Sequence, residues 1–284
     1  MSSVLRPTGL GEALELLAAD PRPQVLAGGT DFMVEVNYDR RRPTAVLSLR
    51  RVDELRGWHW HGDRLTVGAG LCYADMLEPE FEALAPALAQ AARTVGSPQI
   101  RNTGTIGGNL ATASPAGDTL PVLYALDAAV TVSSTRGDRI VPVQELVVGP
   151  KRTTLADDEL IVSISIPAAR GPQEFLKIGV RNAMVISVAS VALVVDRPSR
   201  RIGCALGSVG PTVIRCSDAE AMAEAEVDWD RLLLPDPRVY ETFGAMCADA
   251  SSPIDDHRST SRYRRHGIYV LARRALMRAF EPGA

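Results

Sequence analysis

Two glycine-rich stretches decide the fold of this chain: Ala27-Gly28-Gly29-Thr30-Asp31 and, further along, Thr103-Gly104-Thr105-Ile106-Gly107-Gly108-Asn109. Each stretch follows apolar residues and carries only small side chains around its glycines, which predicts a turn with backbone N–H groups open to a ligand. Phosphate oxygens are the ligands that such turns bind. A single Gly-Gly pair is ordinary turn chemistry, but two pairs of this kind predict two loops that hold one pyrophosphate, and therefore a dinucleotide cofactor.

The spacing of the glycines separates this pattern from other nucleotide-binding motifs. The Gly28-Gly29 turn does not fit G-x-G-x-x-G, which disfavours a nicotinamide-binding Rossmann fold. The second loop is the more specific of the two, because small polar side chains surround Gly107-Gly108: Thr105, Asn109, Thr112 and Ser114. Asp118 follows this loop. By itself, Asp118 is equally explained as the N-cap of a helix that begins near Thr119.

Composition bounds the class of protein. The chain has 284 residues, 46% of them apolar and 23% charged, with a formal net charge of −3. These values predict two or three globular domains and give no global field for nucleic acid. The N-terminus lacks a leader pattern, and no apolar run approaches the roughly 20 residues of a membrane span, so we expect a cytoplasmic protein without a membrane span.

Other catalytic and metal-binding motifs find no support in the sequence. The four cysteines lie far apart without a C-x-x-C pair, so their spacing indicates neither a zinc site nor an iron–sulfur cluster, and reduced, mostly buried thiols are expected. The histidines do not form H-E-x-x-H, and no G-x-S-x-G is present. A series of arginines near the C-terminus is interpreted as a solvated helix face, with contact to a phosphate or an acidic partner as the other option: Arg258, Arg262, Arg264, Arg265, Arg273, Arg274 and Arg278.

Periodicity divides the chain into three units. Residues 1–55 combine a helix, short apolar strands and the first glycine turn, which predicts an α/β subdomain. Residues 56–168 are richer in strands and contain an alanine-rich helix over Ala83 to Val95. A Gly171-Pro172 linker leads into residues 174–284, where strands precede helices, as in an α+β domain. Lys177 and Arg181 lie four residues apart in this last unit. From their spacing alone, a surface or strand-end role is as plausible for them as a contact with phosphate.

Several motifs together resemble the FAD-binding medium subunits of the molybdenum hydroxylases, the family of xanthine dehydrogenase and carbon monoxide dehydrogenase. VLAGGTDFM (Val25 to Met33) resembles the first FAD loop of that family, and IRNTGTIGGNLATASPAGDTLPVL (Ile100 to Leu123) resembles the second. DDELIVSISIP (Asp157 to Pro167) is similar to the strand that follows. DDHRSTSRYRRHGIYVLARRAL (Asp255 to Leu276) is similar to the closing helix. The matches occur in order and cover nearly the whole chain.

The resemblance implies an α+β fold: a PCMH-type FAD-binding module of two subdomains, followed by a C-terminal domain like that of the carbon monoxide dehydrogenase flavoprotein, with a small antiparallel sheet and a helical bundle. It also implies that FAD lies extended across the module. The first loop would wrap the pyrophosphate and ribityl region, the second would supply further amides, and Thr112 and Asp118 would hydrogen-bond the cofactor. The full set of cofactor-binding residues that it implies is Val25, Leu26, Ala27, Gly28, Gly29, Thr30, Asp31, Phe32, Val95, Thr105, Ile106, Gly107, Gly108, Asn109, Thr112, Asp118, Ile161 and Lys177.

The function implied is electron transfer. A molybdopterin large subunit would oxidise the substrate, an iron–sulfur small subunit would carry the electrons, and FAD on this chain would pass them to an acceptor, either NAD, oxygen or a quinone. No acid or base on this chain is then required. The resemblance has two gaps: Glu145 to Gly149 lacks a phenylalanine pair found in many relatives, and Ala183 to Ile186 lacks an aromatic residue that can shield the flavin ring.

Two alternatives remain at this point. The first is a self-standing FAD-dependent oxidase or dehydrogenase that acts directly on a small molecule, which the missing aromatic shield favours. The second is a scaffold that has lost its flavin, against which the intact glycines and Asp118 argue.

Overall fold

A computed structural model describes residues 3–281 of the chain, so the outermost residues of the first and third predicted units lie outside the described part. The N-terminal unit contains β1 (Ser3–Leu5), α1 (Leu10–Ala18), β2 (Gln24–Leu26), α2 (Phe32–Asn37) and β3 (Ala45–Ser48). Its strands form a parallel sheet in the order β1-β3-β2. Leu14 and Leu17 of α1 pack on Leu47 of β3 in a small core, because their spacing puts them on one face of the helix.

The middle unit is built on a five-stranded antiparallel sheet in the order β4-β5-β10-β6-β7. The strands are β4 (Trp58–Trp60), β5 (Arg64–Gly68), β6 (Ala129–Ser134), β7 (Gly137–Pro142) and β10 (Leu160–Pro167). A small separate ribbon pairs β8 (Val147–Gly149) with β9 (Arg152–Thr153). The second subdomain is therefore antiparallel, unlike the parallel N-terminal sheet.

Helices of the middle unit cover one side of this sheet: α3 (Pro79–Leu84), α4 (Pro86–Thr94), α5 (Pro98–Arg101), α6 (Ile106–Thr112), α7 (Thr119–Ala125) and α8 (Val143–Leu146). The single helix predicted over Ala83 to Val95 is wrong. Ala85 has φ −139° and ψ 64°, outside the helical region, and α4 begins at Pro86. A proline disfavours helical geometry at the residue before it, which breaks the helix there.

The C-terminal unit has an antiparallel sheet of β11 (Gln173–Ile178), β12 (Ala189–Asp196), β13 (Arg201–Gly207) and β14 (Ile214–Arg215). Three helices follow or flank it: α9 (Ser217–Glu226), α10 (Arg238–Ala250) and α11 (Ser261–Phe280). Alternate residues of β12 face opposite layers: Val191 and Leu193 pack with the C-terminal helices, whereas Ala192 and Val194 join the core of the middle unit.

The C-terminal sheet thus packs against the middle unit through the face that carries Ala192 and Val194. A Cβ atom on Gly203 of β13 would lie 2.0 Å from the carbonyl oxygen of Ala125 at the end of α7. Only a glycine permits this approach of helix to strand. The contact fixes α7, and with it Asp118 just before α7, against the C-terminal sheet. In the described residues, no helix is both long and apolar enough to span a membrane.

Candidate functional site

The first glycine loop connects β2 to α2 and presents a row of amides. Gly29 has φ +78°, a conformation that glycine adopts without strain. Among the described residues, the backbone N–H groups of residues 28–32 donate to no protein acceptor, whereas the next amide, that of Met33, donates to the carbonyl of Gly29. A row of unpaired amides at a strand-to-helix turn is an anion-binding arrangement. The expectation of open amides is therefore met at this loop.

The second glycine loop uses its amides differently. Thr105 is the N-cap of α6, and its Oγ1 accepts a hydrogen bond from the N–H of Gly108 at 3.1 Å. The N–H of Gly107 donates to the carbonyl of Ala69 at 2.9 Å, and the N–H of Ile106 donates to Leu71 at 3.1 Å. The expectation that this loop leaves its amides free is therefore wrong at these three residues. A Cβ on Gly107 would lie 2.6 Å from that of Ala69, so this glycine serves close packing.

The two loops meet. A Cβ on Gly28 would lie 1.8 Å from the carbonyl oxygen of Thr103, which means that the backbones of the two loops are in van der Waals contact. A Cβ on Gly108 would face Ala27 of the first loop at 3.9 Å. Two turns that are far apart in sequence therefore form one continuous bare-backbone surface. A surface without side chains is what a pyrophosphate site requires.

Asp118 and Lys177 form a second part of the site. The Nζ of Lys177 lies 2.7 Å from Oδ2 of Asp118, and their side chains are 10% and 7% exposed. Lys177 also donates to the carbonyls of Thr94 at 3.0 Å and Val185 at 3.3 Å. Asp118 further accepts hydrogen bonds from the hydroxyls of Ser187 and Thr94. Of the roles left open for Lys177, the surface role is wrong, because this lysine is buried; it lies near the end of β11 and joins the middle unit to the C-terminal unit.

The environment of Asp118 contains opposing influences. Burial raises the pKa of the Asp118 carboxyl above its usual range, while the charge of Lys177 and the hydrogen bonds from Lys177, Ser187 and Thr94 lower it. Asp118 precedes α7 as its N-cap residue, but its side chain makes no capping hydrogen bond. The simpler explanation of Asp118 as a helix cap is therefore wrong, since the carboxylate faces Lys177.

The remaining residues of the predicted site lie around these two parts. Val95 is half-buried at the end of α4, next to Thr94. Asn109 of α6 accepts a hydrogen bond from the hydroxyl of Thr119 at 2.7 Å, which connects the second loop to the start of α7. Thr112 ends α6 and is half-buried. Ile161 is 7% exposed in the core at a bulge of β10.

Three polar residues at the candidate site are not predicted from the sequence. Thr94 and Ser187 contact Asp118 from elements that are far apart in sequence. Lys151, in the β8–β9 turn, lies 3.0 Å from Glu35 and 4.0 Å from Asp31 of the first loop. No local pattern distinguishes a single lysine in a turn, so only the fold places this cation beside the first loop.

The expectation of reduced, mostly buried thiols is confirmed in the described residues, whereas one expectation for the arginine series needs correction. Arg264 does not belong to a solvated helix face: it is 3% exposed and donates to the carbonyls of Val188 and Ser208 and to Asp256. Three of the four cysteines, although far apart in sequence, come together in the C-terminal core, with their sulfur atoms within 4.8 Å of one another: Cys204, Cys216 and Cys247.

Comparisons with known proteins give the same assignment over the whole chain. The family described as "FAD binding domain in molybdopterin dehydrogenase" matches residues 1–169, and the "CO dehydrogenase flavoprotein C-terminal domain" matches residues 174–279. The glyceraldehyde dehydrogenase medium chain of Sulfolobus acidocaldarius is 30% identical, with 96% of each chain covered. A putative xanthine dehydrogenase FAD-binding subunit of Escherichia coli is 28% identical over 98% of this chain and 96% of its own.

Structural similarity agrees with these matches. A chain of the carbon monoxide dehydrogenase of Hydrogenophaga pseudoflava superposes with a TM-score of 0.86 and 27% identity, covering 98% of this chain and 96% of its own. The matched family model and the Escherichia coli relative are both named for FAD binding. The α+β fold and the FAD cofactor expected from the sequence are confirmed, and the chain belongs to the family of FAD-binding medium subunits of the molybdenum hydroxylases.

Proposed function

We propose that this chain is the flavin station of a three-component molybdenum hydroxylase. It receives electrons from an iron–sulfur small subunit, which is reduced by a molybdopterin large subunit, and passes them to an external acceptor. FAD supplies the redox chemistry, since it takes up and releases one or two electrons, and the protein supplies binding and orientation. The relatives named as medium chains or FAD-binding subunits support this role.

One observation carries the cofactor site: the unpaired amides of residues 28–32 lie on a loop whose Gly28 is pressed against Thr103 of the second loop. We assign these amides to the pyrophosphate, where their partial charges offset part of its negative charge. Lys151 lies beside Asp31 at the same loop and pairs with Glu35. Gly108 of the second loop faces Ala27 of the first loop, and its lack of a side chain keeps the space between them open.

The other predicted contacts are arranged around a second region of the cofactor. Lys177, held by Asp118, and Val95, next to Thr94, lie where the middle and C-terminal units meet. We assign this region to the ribityl and ring end of FAD, because it lies beyond the second loop along α6 and α7. Thr112 and Ile161 belong to the proposed site by resemblance to the family.

The three-unit division is also part of this proposal. We assign residues 1–55 and 56–168 to the two FAD-binding subdomains and residues 174–284 to the C-terminal domain. Each of these ranges contains one main sheet, which supports the division. We further propose a cytoplasmic location, consistent with the lack of a membrane-spanning helix in residues 3–281.

The self-standing oxidase is the weaker alternative. Its support is the missing aromatic at Ala183 to Ile186, a segment that instead exposes the apolar side chains of Met184 and Ile186. The relatives in the comparisons are named as chains or subunits of larger dehydrogenases, which favours the multisubunit role.

Gly108→Val tests the cofactor site. The branched side chain would meet Thr105 and fill the space toward Ala27, so we expect purified protein with little flavin absorbance and a near-native circular dichroism spectrum. His61→Val is the control, because His61 lies in an exposed turn and its replacement should leave the flavin content unchanged. Wild-type flavin content in Gly108→Val would overturn the loop assignment.

The electron-transfer role needs a separate measurement. The chain is co-expressed with candidate iron–sulfur and molybdopterin subunits, and the complex is isolated by a tag on this chain. We expect all three subunits to co-purify and the flavin to be bleached when the substrate of the large subunit is added. A flavin-loaded chain that purifies alone and is bleached directly by a small molecule would favour the self-standing oxidase.

A further inference from the structure

Three thiols converge in the core of the C-terminal domain. Cys204 lies on β13, Cys216 immediately precedes α9, and Cys247 lies on α10, so three separate elements each contribute one sulfur atom. Their exposures are 0%, 3% and 0%, and the three sulfur atoms lie within 4.8 Å of one another. The sulfur atoms of Cys204 and Cys247 are 3.9 Å apart. The fourth cysteine, Cys72, lies in the middle unit and is half-buried.

This spacing matches a metal coordination sphere. Zinc–sulfur bonds of about 2.3 Å place the sulfur atoms of one ion about 4 Å apart, and larger soft cations need slightly more. A group of three sulfurs and no carboxylate or imidazole selects soft, thiophilic cations over magnesium or calcium. The surroundings are apolar: Ile202, Leu206 and Phe243 belong to the same core cluster.

The backbone around the thiols is already fixed. The N–H of Cys216 donates to the carbonyl of Cys204 at 2.9 Å, and the N–H of Cys204 donates to Oε1 of Glu220 at 2.6 Å.

We propose that Cys204, Cys216 and Cys247 form a three-thiolate binding site for a soft, thiophilic metal cation, which ties β13, α9 and α10 together. For a divalent ion, each thiol loses its proton as its sulfur binds: one M²⁺ and three R–SH give [M(SR)₃]⁻ and three H⁺. No electrons are transferred. The site is separate from the flavin site, because none of its residues belongs to the glycine loops or to the Asp118–Lys177 cluster.

Cd²⁺ is a suitable probe, and the whole flavin-loaded chain is the test protein. Because the thiols are buried, the protein is produced in medium that contains Cd²⁺ and is then dialysed against metal-free buffer. We expect one Cd²⁺ per chain by elemental analysis, a native mass that is higher by one cadmium less three protons, and a raised unfolding temperature. The Cys204→Ala and Cys247→Ala variants should lose the ion, whereas the Cys72→Ala control should retain it.

A second measurement on wild-type protein avoids the risk that a core variant misfolds. Partly denatured protein is treated with a thiol-alkylating reagent, with and without Cd²⁺, and the modified peptides are identified. We expect Cd²⁺ to protect the three clustered cysteines and to leave Cys72 reactive. Absence of bound Cd²⁺ in the wild type, retention in both alanine variants, equal protection of Cys72, or a native mass lower by two protons that marks a disulfide would each overturn the proposal.

Discussion

Lys177 on β11 and Asp118 before α7 form a buried ion pair, with Nζ and Oδ2 2.7 Å apart, across the boundary between the middle and C-terminal units. The lysine also donates to the backbone carbonyls of Thr94 and Val185. The aspartate also accepts hydrogen bonds from the hydroxyls of Thr94 and Ser187. Such a pair contributes little net stability, but loss of one partner leaves a buried charge without compensation. The pair therefore couples the cofactor site to the packing of the two units.

Lys177→Met should destabilise the protein strongly. We expect a loss of about 3–5 kcal/mol in the free energy of unfolding at neutral pH, because Asp118 would stay buried without its cation. Burial raises the pKa of Asp118, so acidification neutralises the carboxyl in the folded variant and the loss should diminish as pH falls. Denaturant unfolding at several pH values measures both effects.

The matched control is the double variant Asp118→Asn with Lys177→Met. An amide and a thioether of similar size remove both charges, so the double variant should be clearly more stable than Lys177→Met alone. If the two substitutions were simply additive, the ion pair would not be the source of the effect. Flavin content measured on the same samples reports whether the pair also positions the cofactor.

Gly28→Ala should separate the two glycine loops. The added methyl group would lie 1.8 Å from the carbonyl oxygen of Thr103, a backbone atom that cannot rotate away. We expect a loss of roughly 1–3 kcal/mol in unfolding free energy from the forced backbone shift, and a flavin content that falls much more than the stability does. Absorbance of the purified protein at the flavin bands measures the second effect.

Gly11→Ala serves as the control for that substitution. Gly11 lies in α1, and a Cβ at this position meets no atom within 4 Å. Because alanine favours helix over glycine, the control should be as stable as the wild type or more stable by up to about 1 kcal/mol, with full flavin content. Equal loss of flavin in both variants would argue against a role of the loop contact.

The sequence predicted the loops better than the side chains around them. Glycine runs after apolar strands are local signals, so Gly28 and Gly108 could be assigned to the site without a structure. The contact of Gly28 with Thr103 depends on how two subdomains pack, and no local pattern encodes that distance. The same limit explains why the amides of Ile106 and Gly107 were expected to be free, since their acceptors, Leu71 and Ala69, belong to another part of the chain.

The burial of single charged residues could not be predicted from the sequence either. Lys177 and Arg264 look like ordinary surface residues in the sequence, yet each is buried and donates to backbone carbonyl groups. Cys204, Cys216 and Cys247 have no metal-binding spacing, because a strand and two helices bring them together rather than one loop. Periodicity predicts strands followed by helices in this unit, but it does not specify which of their residues meet.

Glu159 gives a prediction for acid stability. Hydrogen bonds from Arg139 lower the pKa of the Glu159 carboxyl to about 2, with smaller contributions from the N–H of Ala156 and from the charges of Arg139 and Arg136. The folded protein thus binds this proton less tightly than the unfolded chain, in which the glutamate has its ordinary pKa of 4.5. The stabilisation is present above that value and is lost as pH falls from about 4.5 towards about 2.

Glu159→Gln measures this contribution. We expect a loss of about 1 kcal/mol at pH near 7, at the lower end for a charged hydrogen bond because Arg139 is 39% exposed and solvent screens the pair. The difference between wild type and variant should shrink as pH is lowered through the acidic range. A difference that stays constant down to the lowest measurable pH would show that the glutamine acts through packing and not through charge.

Arg264→Met tests the buried arginine of α11. Its guanidinium donates to the carbonyls of Val188 at 2.7 Å and Ser208 at 3.0 Å and pairs with Asp256 at 2.6 Å. Removal leaves the carbonyl oxygens of Val188 and Ser208 without this donor, whereas Asp256 keeps its ion pair with Arg258, so we expect a loss of about 1–3 kcal/mol in unfolding free energy for each carbonyl left unsatisfied. Arg265→Met, one residue further on the exposed side of the same helix, should change stability by no more than about 0.5 kcal/mol. Equal effects of the two substitutions would mean that the helix tolerates loss of its internal arginine, and that the loop carrying Val188 is held by other contacts.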